Sequence, residues 1–211
     1  LGIIIHRLDA MRALRGATVF IVSGSQGAGK TTRVSEVIAT VGKRGGIARG
    51  FLSHVVYEGD LRVGYDIGII HTKQRLPLCR IHGMSPGEFI GRFTFNGDGI
   101  AAGLAALTPG GERKGVVHFV DEVGPLEMKG MGWAPALRAL LRDPSATVLL
   151  TVRPDLVGPV QEKFGFTAVK VWNVSGGSAD AHRTTGAHKI VVADQIADAL
   201  MDAVRSVPEH P

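Results

Sequence analysis

The chain has 211 residues, 45% hydrophobic and 20% charged, which is enough apolar material to bury a core and argues against a disordered segment. Its 24 Lys and Arg against 19 Asp and Glu leave a net charge of +5, yet no basic run exceeds the pairs Lys43-Arg44 and Arg113-Lys114. The phosphates of a small ligand are therefore expected rather than a nucleic-acid surface. The single cysteine, Cys79, excludes an internal disulfide and points to a reducing, cytoplasmic setting, and the apolar opening over residues 1–5 is too short for a signal segment or a membrane span.

In chain order, one domain is expected over 1–211, with 1–16 as an N-terminal extension. Residues 17–22 are a β-branched and apolar run, as in a parallel strand buried on both faces. The run breaks at Ser23-Gly24 and gives way to a helix over 30–41, with Gly42 as its closing C′ glycine. Residues 47–56 and 61–70 read as two strands of a hairpin around Glu58-Gly59-Asp60. Residues 71–90 lack periodicity and hold Pro77, Gly83, Pro86 and Gly87, so loop with a short turn is expected. A helix over 98–107 follows, then a strand at 116–120, a helix at 133–141, a strand at 146–152 and a helix after Pro154. The last elements are a strand at 166–172 and an amphipathic helix at 193–204. Strands alternating with helices of this length imply βαβ units and a mainly parallel α/β sheet, to which the hairpin adds an antiparallel portion.

Gly24-Ser25-Gln26-Gly27-Ala28-Gly29-Lys30-Thr31 fits the phosphate-loop pattern G-x-x-x-x-G-K-[ST], between a strand and a helix. Glycines let successive backbone N–H groups turn inward onto phosphate oxygens, and the positive end of the following helix faces the same anion. Lys30, expected to be exposed at the loop, would reach the β- and γ-phosphates; Thr31 would ligate Mg²⁺ and Thr32 would contact the α-phosphate. The strand 116–120 ends in Asp121-Glu122. Asp121 would hold the same Mg²⁺, and Glu122 would orient and deprotonate water. Adjacent residues on a strand face opposite ways, so both acids serve one site only if the chain turns out of the strand at Glu122.

Other residues have competing readings. Thr151 and Arg153 end the strand that follows, at the same sheet edge as the phosphate loop. Arg153 is a candidate γ-phosphate sensor or a surface ion pair; Arg92 and Arg49 are weaker candidates. His118 reads as a satisfied core histidine and Cys79 as a small core residue. After the last strand, Asn173 and Ser175 could reach a base edge. Trp172 is open to two readings, a base stacked on its ring or a place in the core.

Three stretches together resemble one family, the small P-loop nucleoside-triphosphatases that include the human cancer-related enzyme and thermophilic relatives. They are 24–32; Arg49-Gly50-Phe51 with Val63-Gly64-Tyr65-Asp66-Ile67; and Val120-Asp121-Glu122-Val123-Gly124-Pro125-Leu126-Glu127-Met128. Gly91-Arg92-Phe93 matches a further Gly-basic-aromatic step. The likeness covers about residues 17–152 and fades beyond. It implies a three-layer P-loop NTPase fold with a RecA-like sheet, slow hydrolysis of several nucleoside triphosphates (ATP, GTP and others) with Mg²⁺, and a Glu127 that positions the segment after Asp121-Glu122. A small nucleotide or nucleoside kinase shares the phosphate loop, but its Arg-rich lid is not seen here. A non-catalytic nucleotide-binding adaptor would not need the Asp121-Glu122 pair. No membrane partner is expected, and the residues name no protein partner.

Overall fold

The computed structural model describes residues 16–81, 89–108, 115–174 and 186–207. The expected 1–16 extension (save Gly16), Ser175, the Arg113-Lys114 pair and part of the expected loop before Phe89 lie outside these residues.

The strands are β1 (Thr18–Ser23), β2 (Ile47–Glu58), β3 (Leu61–Ile69), β4 (Arg75–Ile81), β5 (Phe89–Ile90), β6 (Phe93–Phe95), β7 (Val116–Val123), β8 (Thr147–Val152) and β9 (Lys170–Asn173). Six helices accompany them among the described residues: α1 (Lys30–Lys43), α2 (Gly97–Leu107), the short α3 (Pro125–Met128), α4 (Ala134–Leu141), α5 (Val157–Phe164) and α6 (Gly186–Arg205). All nine strands join one sheet in the order β5-β6-β4-β3-β2-β7-β8-β1-β9. The five from β2 to β9 in that order run parallel. β8 therefore separates β1, which feeds the phosphate loop, from β7, which ends in the acidic pair, as a RecA-like sheet requires.

Alternation along β1 explains the three layers. Phe20 and Val22 face α1 and α6, in one core with Val34, Val37, Phe119, Leu149, Ile196 and Leu200. Val19 and Ile21 point the other way, into a core with Phe51, Ile67, Val120, Leu137, Leu150 and Phe164, covered by α2, α4 and α5. Successive side chains of a strand leave opposite faces, so an unbroken apolar run is what a strand covered on both sides needs.

Four expectations change. Helix α1 runs on through Gly42 to Lys43, and Gly45 at φ 78° is the residue that closes it. The N–H groups of Gly45 and Gly46 donate to the carbonyls of Gly42 and Val41 at 3.1 and 2.9 Å, a Schellman pair that needs a left-handed residue at Gly45. Residues 75–81, expected as loop, form β4. Pro77 is accommodated beside a register shift in the β3–β4 pairing, where a missing N–H is tolerated. The carboxylate of Asp66 ties β4 to β3 by accepting from Arg75 at 2.9 Å and Arg80 at 2.6 Å. The antiparallel portion thus comprises β3, β4, β6 and β5 beyond β2, and is more than a hairpin. Finally, β9 begins only at Lys170, because Gln161 holds the backbone N–H groups of Phe166 and Ala168 against α5, while α6 starts seven residues before the predicted Ala193. No helix among the described residues is long and apolar enough to cross a membrane.

Candidate active site

The C-terminal edge of the parallel strands carries every residue of the expected site. Between β1 and α1, Gly27 and Gly29 adopt φ of 78° and 85°, and Gly29 is the left-handed N-cap residue of α1. Those torsions turn the loop amides toward its interior, as an anion cradle at a helix N-terminus requires. Ser25, Gln26 and Thr32 are exposed, whereas Ala28 is buried. Lys30 is buried too, contrary to expectation: its ammonium donates to the carbonyls of Gly24 at 2.7 Å and Ser25 at 2.9 Å. A buried charge must be hydrogen-bonded, and the loop's own carbonyls supply the acceptors.

The two halves of the site meet directly. Thr31 donates its hydroxyl hydrogen bond to Asp121 Oδ2 at 2.8 Å. Asp121 is 2% exposed and also accepts from the Ser53 N–H at 2.9 Å and the Thr151 hydroxyl at 2.6 Å. Three donors from three elements thus hold the carboxylate in one orientation. Thr151 bridges the acids, because the Glu122 N–H donates to its hydroxyl at 2.7 Å.

Glu122 has a φ of 68°, a left-handed conformation uncommon outside glycine. The β7–β8 register breaks between Val120 and Val123 at the same place. The chain therefore turns at Glu122 itself, and the strict alternation that would send Asp121 and Glu122 to opposite faces is lifted. Burial raises the pKa of Glu122, and the neighbouring Asp121 charge adds to this; Lys30, Arg153 and Arg62 act against it.

Immediately after β7, Glu127 is 2% exposed and accepts from the backbone N–H of Gly124 at 2.9 Å and of Trp133 at 3.2 Å. It pins the start of α3 and the entry to α4, the positioning that the resemblance implied. Burial raises its pKa, and those N–H donors oppose the rise.

Of the candidate cations, Arg153 follows β8 and acts on Glu122, with no ion pair to a carboxylate among the described residues. Arg92 is exposed and lies over the Phe93 ring, 5.0 Å from its centroid. Arg49 lies on β2 opposite His118. His118 is buried as expected but not satisfied: its Nδ1 has no hydrogen-bond partner. Cys79 is a buried thiol whose pKa is pushed up to about 11, mainly by burial. Asn173, at the end of β9, is exposed. The stacking reading of Trp172 falls, because its ring is buried against Phe20 with centroids 5.8 Å apart.

Two contributors were not singled out as site residues, although Tyr65 lies in the 63–67 stretch that carries the resemblance. Ser53 reaches Asp121 only because β2 pairs in parallel with β7 up to Phe51 opposite Val120. Tyr65 comes from β3, and its hydroxyl accepts from Gln26 Nε2 of the phosphate loop at 3.2 Å. Among the described residues no group of three or more His, Cys, Asp or Glu could hold a metal ion. The donor set at the acidic pair is one hydroxyl and one carboxylate, hard oxygens of the kind Mg²⁺ takes when phosphates and water complete its shell.

A family model described as NTPase matches residues 19–182. Nucleoside-triphosphatase THEP1 of Thermofilum pendens is 30% identical over 134 residues, which is 63% of this chain and 72% of the relative. The mouse cancer-related nucleoside-triphosphatase homolog is 28% identical over 165 residues, 73% and 86% of the two chains. Two solved structures share the fold. The human cancer-related nucleoside triphosphatase superposes with a TM-score of 0.62 at 21% identity, over 88% of this chain and 98% of that one. THEP1 from Aquifex aeolicus gives 0.61 at 20%, over 87% and 99%. Since the family match runs across the phosphate loop, the acidic pair and the Glu127 cap, this chain belongs to the NTPase family of P-loop nucleoside-triphosphatases.

Proposed function

We propose that the chain hydrolyses nucleoside 5′-triphosphates to the diphosphate and phosphate, with Mg²⁺, slow turnover and little base preference. One observation carries the reading: the Thr31 hydroxyl and Asp121 carboxylate are joined at 2.8 Å while the left-handed Glu122 brings the second acid to the same edge. In this reading the amides from Gly24 to Lys30 cradle the phosphates, Thr32 meets the α-phosphate, and Lys30 leaves its carbonyl acceptors for the β- and γ-oxygens. Thr31 and Asp121 would hold Mg²⁺, which when bound offsets negative charge on the β- and γ-phosphates. Glu122 orients the attacking water and takes its proton. Its raised pKa suits that role, since a base works best with a pKa nearer the working pH. Arg153 senses the γ-phosphate, and Asn173 is the polar group we assign to the base. The proposal keeps 1–211 as one domain with 1–16 as an extension, in a cytoplasmic setting.

The test is phosphate release from ATP, GTP, CTP and UTP with and without Mg²⁺, beside Lys30→Ala. Release is expected to need Mg²⁺, to fall within about tenfold (about 1.4 kcal/mol) across the four bases, and to be lost in Lys30→Ala. Transfer to an added nucleoside or nucleotide acceptor without free phosphate would replace hydrolase by kinase. Tight binding with no turnover would leave a nucleotide-dependent adaptor.

A further inference from the structure

The β2–β3 hairpin outruns the parallel sheet. β2 pairs with β7 only from Ile47 to Phe51, yet it continues with β3 as far as Glu58 and Leu61. Its outer half therefore stands beyond the edge that carries the phosphate loop and the acidic pair. A bulge breaks its register: Val56 pairs with Gly64 and Tyr57 with Arg62, which leaves Val63 as the extra residue. Residues three apart on a regular strand leave opposite faces, but a bulge re-aims the side chains around it. Here it brings Arg62 onto the face of Tyr65, with Cζ 5.6 Å from the ring centroid. Tyr65 in turn is bonded to Gln26 of the phosphate loop.

Arg62 has no carboxylate within ion-pair distance among the described residues, and its Nε is buried with no hydrogen-bond partner. Buried guanidinium N–H groups are normally bonded. The positive charge of Arg62 lowers the pKa of Glu122, as it does that of the Tyr65 hydroxyl over whose ring it sits. A half-buried guanidinium with an unused Nε–H, held by an aromatic ring that is itself hydrogen-bonded to the phosphate loop, suits a planar anion arriving there.

We propose that Arg62 is a catalytic residue of the hydrolysis, an arginine presented in cis by the hairpin to the γ-phosphoryl oxygens. The proposal rests on the hydrolase reading above. As the water oxygen bonds to the γ-phosphorus, its proton passes to Glu122. The bond to the β–γ bridging oxygen breaks, and that oxygen keeps the electron pair. Arg62 exchanges no proton; it stabilises the charge that spreads over the transferring group, a role that raises kcat more than ground-state affinity.

The experiment compares the full chain with Arg62→Ala and Arg62→Lys in MgATP turnover, and in binding of Mg·ADP with and without aluminium fluoride as a transition-state mimic. Wild type should bind Mg·ADP at least about tenfold more tightly when the fluoride is present. Both variants should lose at least about 100-fold in kcat with KM within about threefold. They should also lose the fluoride enhancement while keeping the Kd for Mg·ADP. Lysine keeps the charge and stem but not the fork, so its failure to rescue supports the assignment and guards against loss through misfolding in the alanine variant. Wild-type turnover with variants that keep kcat and the enhancement would overturn the role of Arg62 and leave the hydrolase intact. A raised KM at unchanged kcat would also overturn it, in favour of a ground-state anchor. Absence of phosphate release from wild type would overturn the hydrolase reading itself.

Discussion

Glu122 and Lys73 are the two non-glycine residues with positive φ among the described residues. At Glu122 the conformation has a chemical consequence, since it lets neighbouring acids share one site. Glu122→Gln keeps the shape and removes the proposed base, so kcat should fall roughly 10²–10⁴-fold while nucleotide affinity barely moves. Asp121→Asn should instead weaken Mg²⁺ dependence and binding together; steady-state kinetics with a Mg²⁺ titration separates the two. Glu127 cannot stand in for Glu122, because both its oxygens are occupied by backbone N–H groups. His118 shapes stability rather than chemistry. Burial, with the Arg49 charge second, lowers its pKa from 6.5 to about 4. The native state therefore excludes a proton that the unfolded chain takes up, so its contribution is present above pH 6.5 and is lost as pH falls toward 4. The loss is on the order of 3 kcal/mol, and denaturant melts of His118→Gln should show a flatter acid limb than wild type over that range.

The short α3 depends on one side chain. Its first turn is held by Glu127, which joins Gly124, three residues before it, to Trp133, six residues after it. Glu127→Ala would leave two backbone N–H groups without their acceptor, each costing about 1–3 kcal/mol. The unfolding free energy from urea melts should drop by a corresponding roughly 2–6 kcal/mol. Activity should fall as well, because α3 begins three residues after Glu122. Glu127→Gln, whose single carbonyl oxygen can satisfy one of the two, should lie between. β4 makes a related point about what a segment needs in order to be a strand. Its pairing with β3 and β6, and the Asp66 carboxylate that takes both Arg75 and Arg80, come from outside the segment. No period inside 75–81 announces them.

At the scale of the molecule, the site is a junction. The phosphate loop follows β1, Ser53 lies on β2, Tyr65 on β3, Asp121 and Glu122 on β7 and Thr151 on β8. A ligand that bridges these elements should stabilise the whole sheet. At about 100 times its Kd, a non-hydrolysable triphosphate with Mg²⁺ adds roughly 2.7 kcal/mol, or about 5–10 °C in Tm for a chain of this size. Nucleotide with EDTA, and Mg²⁺ alone, should each give less than half of that shift in a thermal melt.

How much of this was legible follows from where the determining contacts lie. The phosphate loop, the helix after it, the acidic pair and the alternation of strands and helices rest on local rules: torsions that need glycine, apolar periodicity, and residue types spaced for one anion. These the chain declares residue by residue. The turn at Glu122 was legible only as a condition, since Gly124-Pro125 marks a break in the strand but not the left-handed residue two places earlier. Arg62, Ser53 and the buried place of Trp172 were decided by tertiary structure alone. Ser53 depends on the β2–β7 register, Trp172 on packing against Phe20, and Arg62 on one extra residue in the β3 ladder. Register and bulges are set by how strands pair, whether neighbours as in β2–β3 or far apart as in β2–β7, and a shift of one residue reverses the face a side chain takes; no pattern within a single strand encodes that choice.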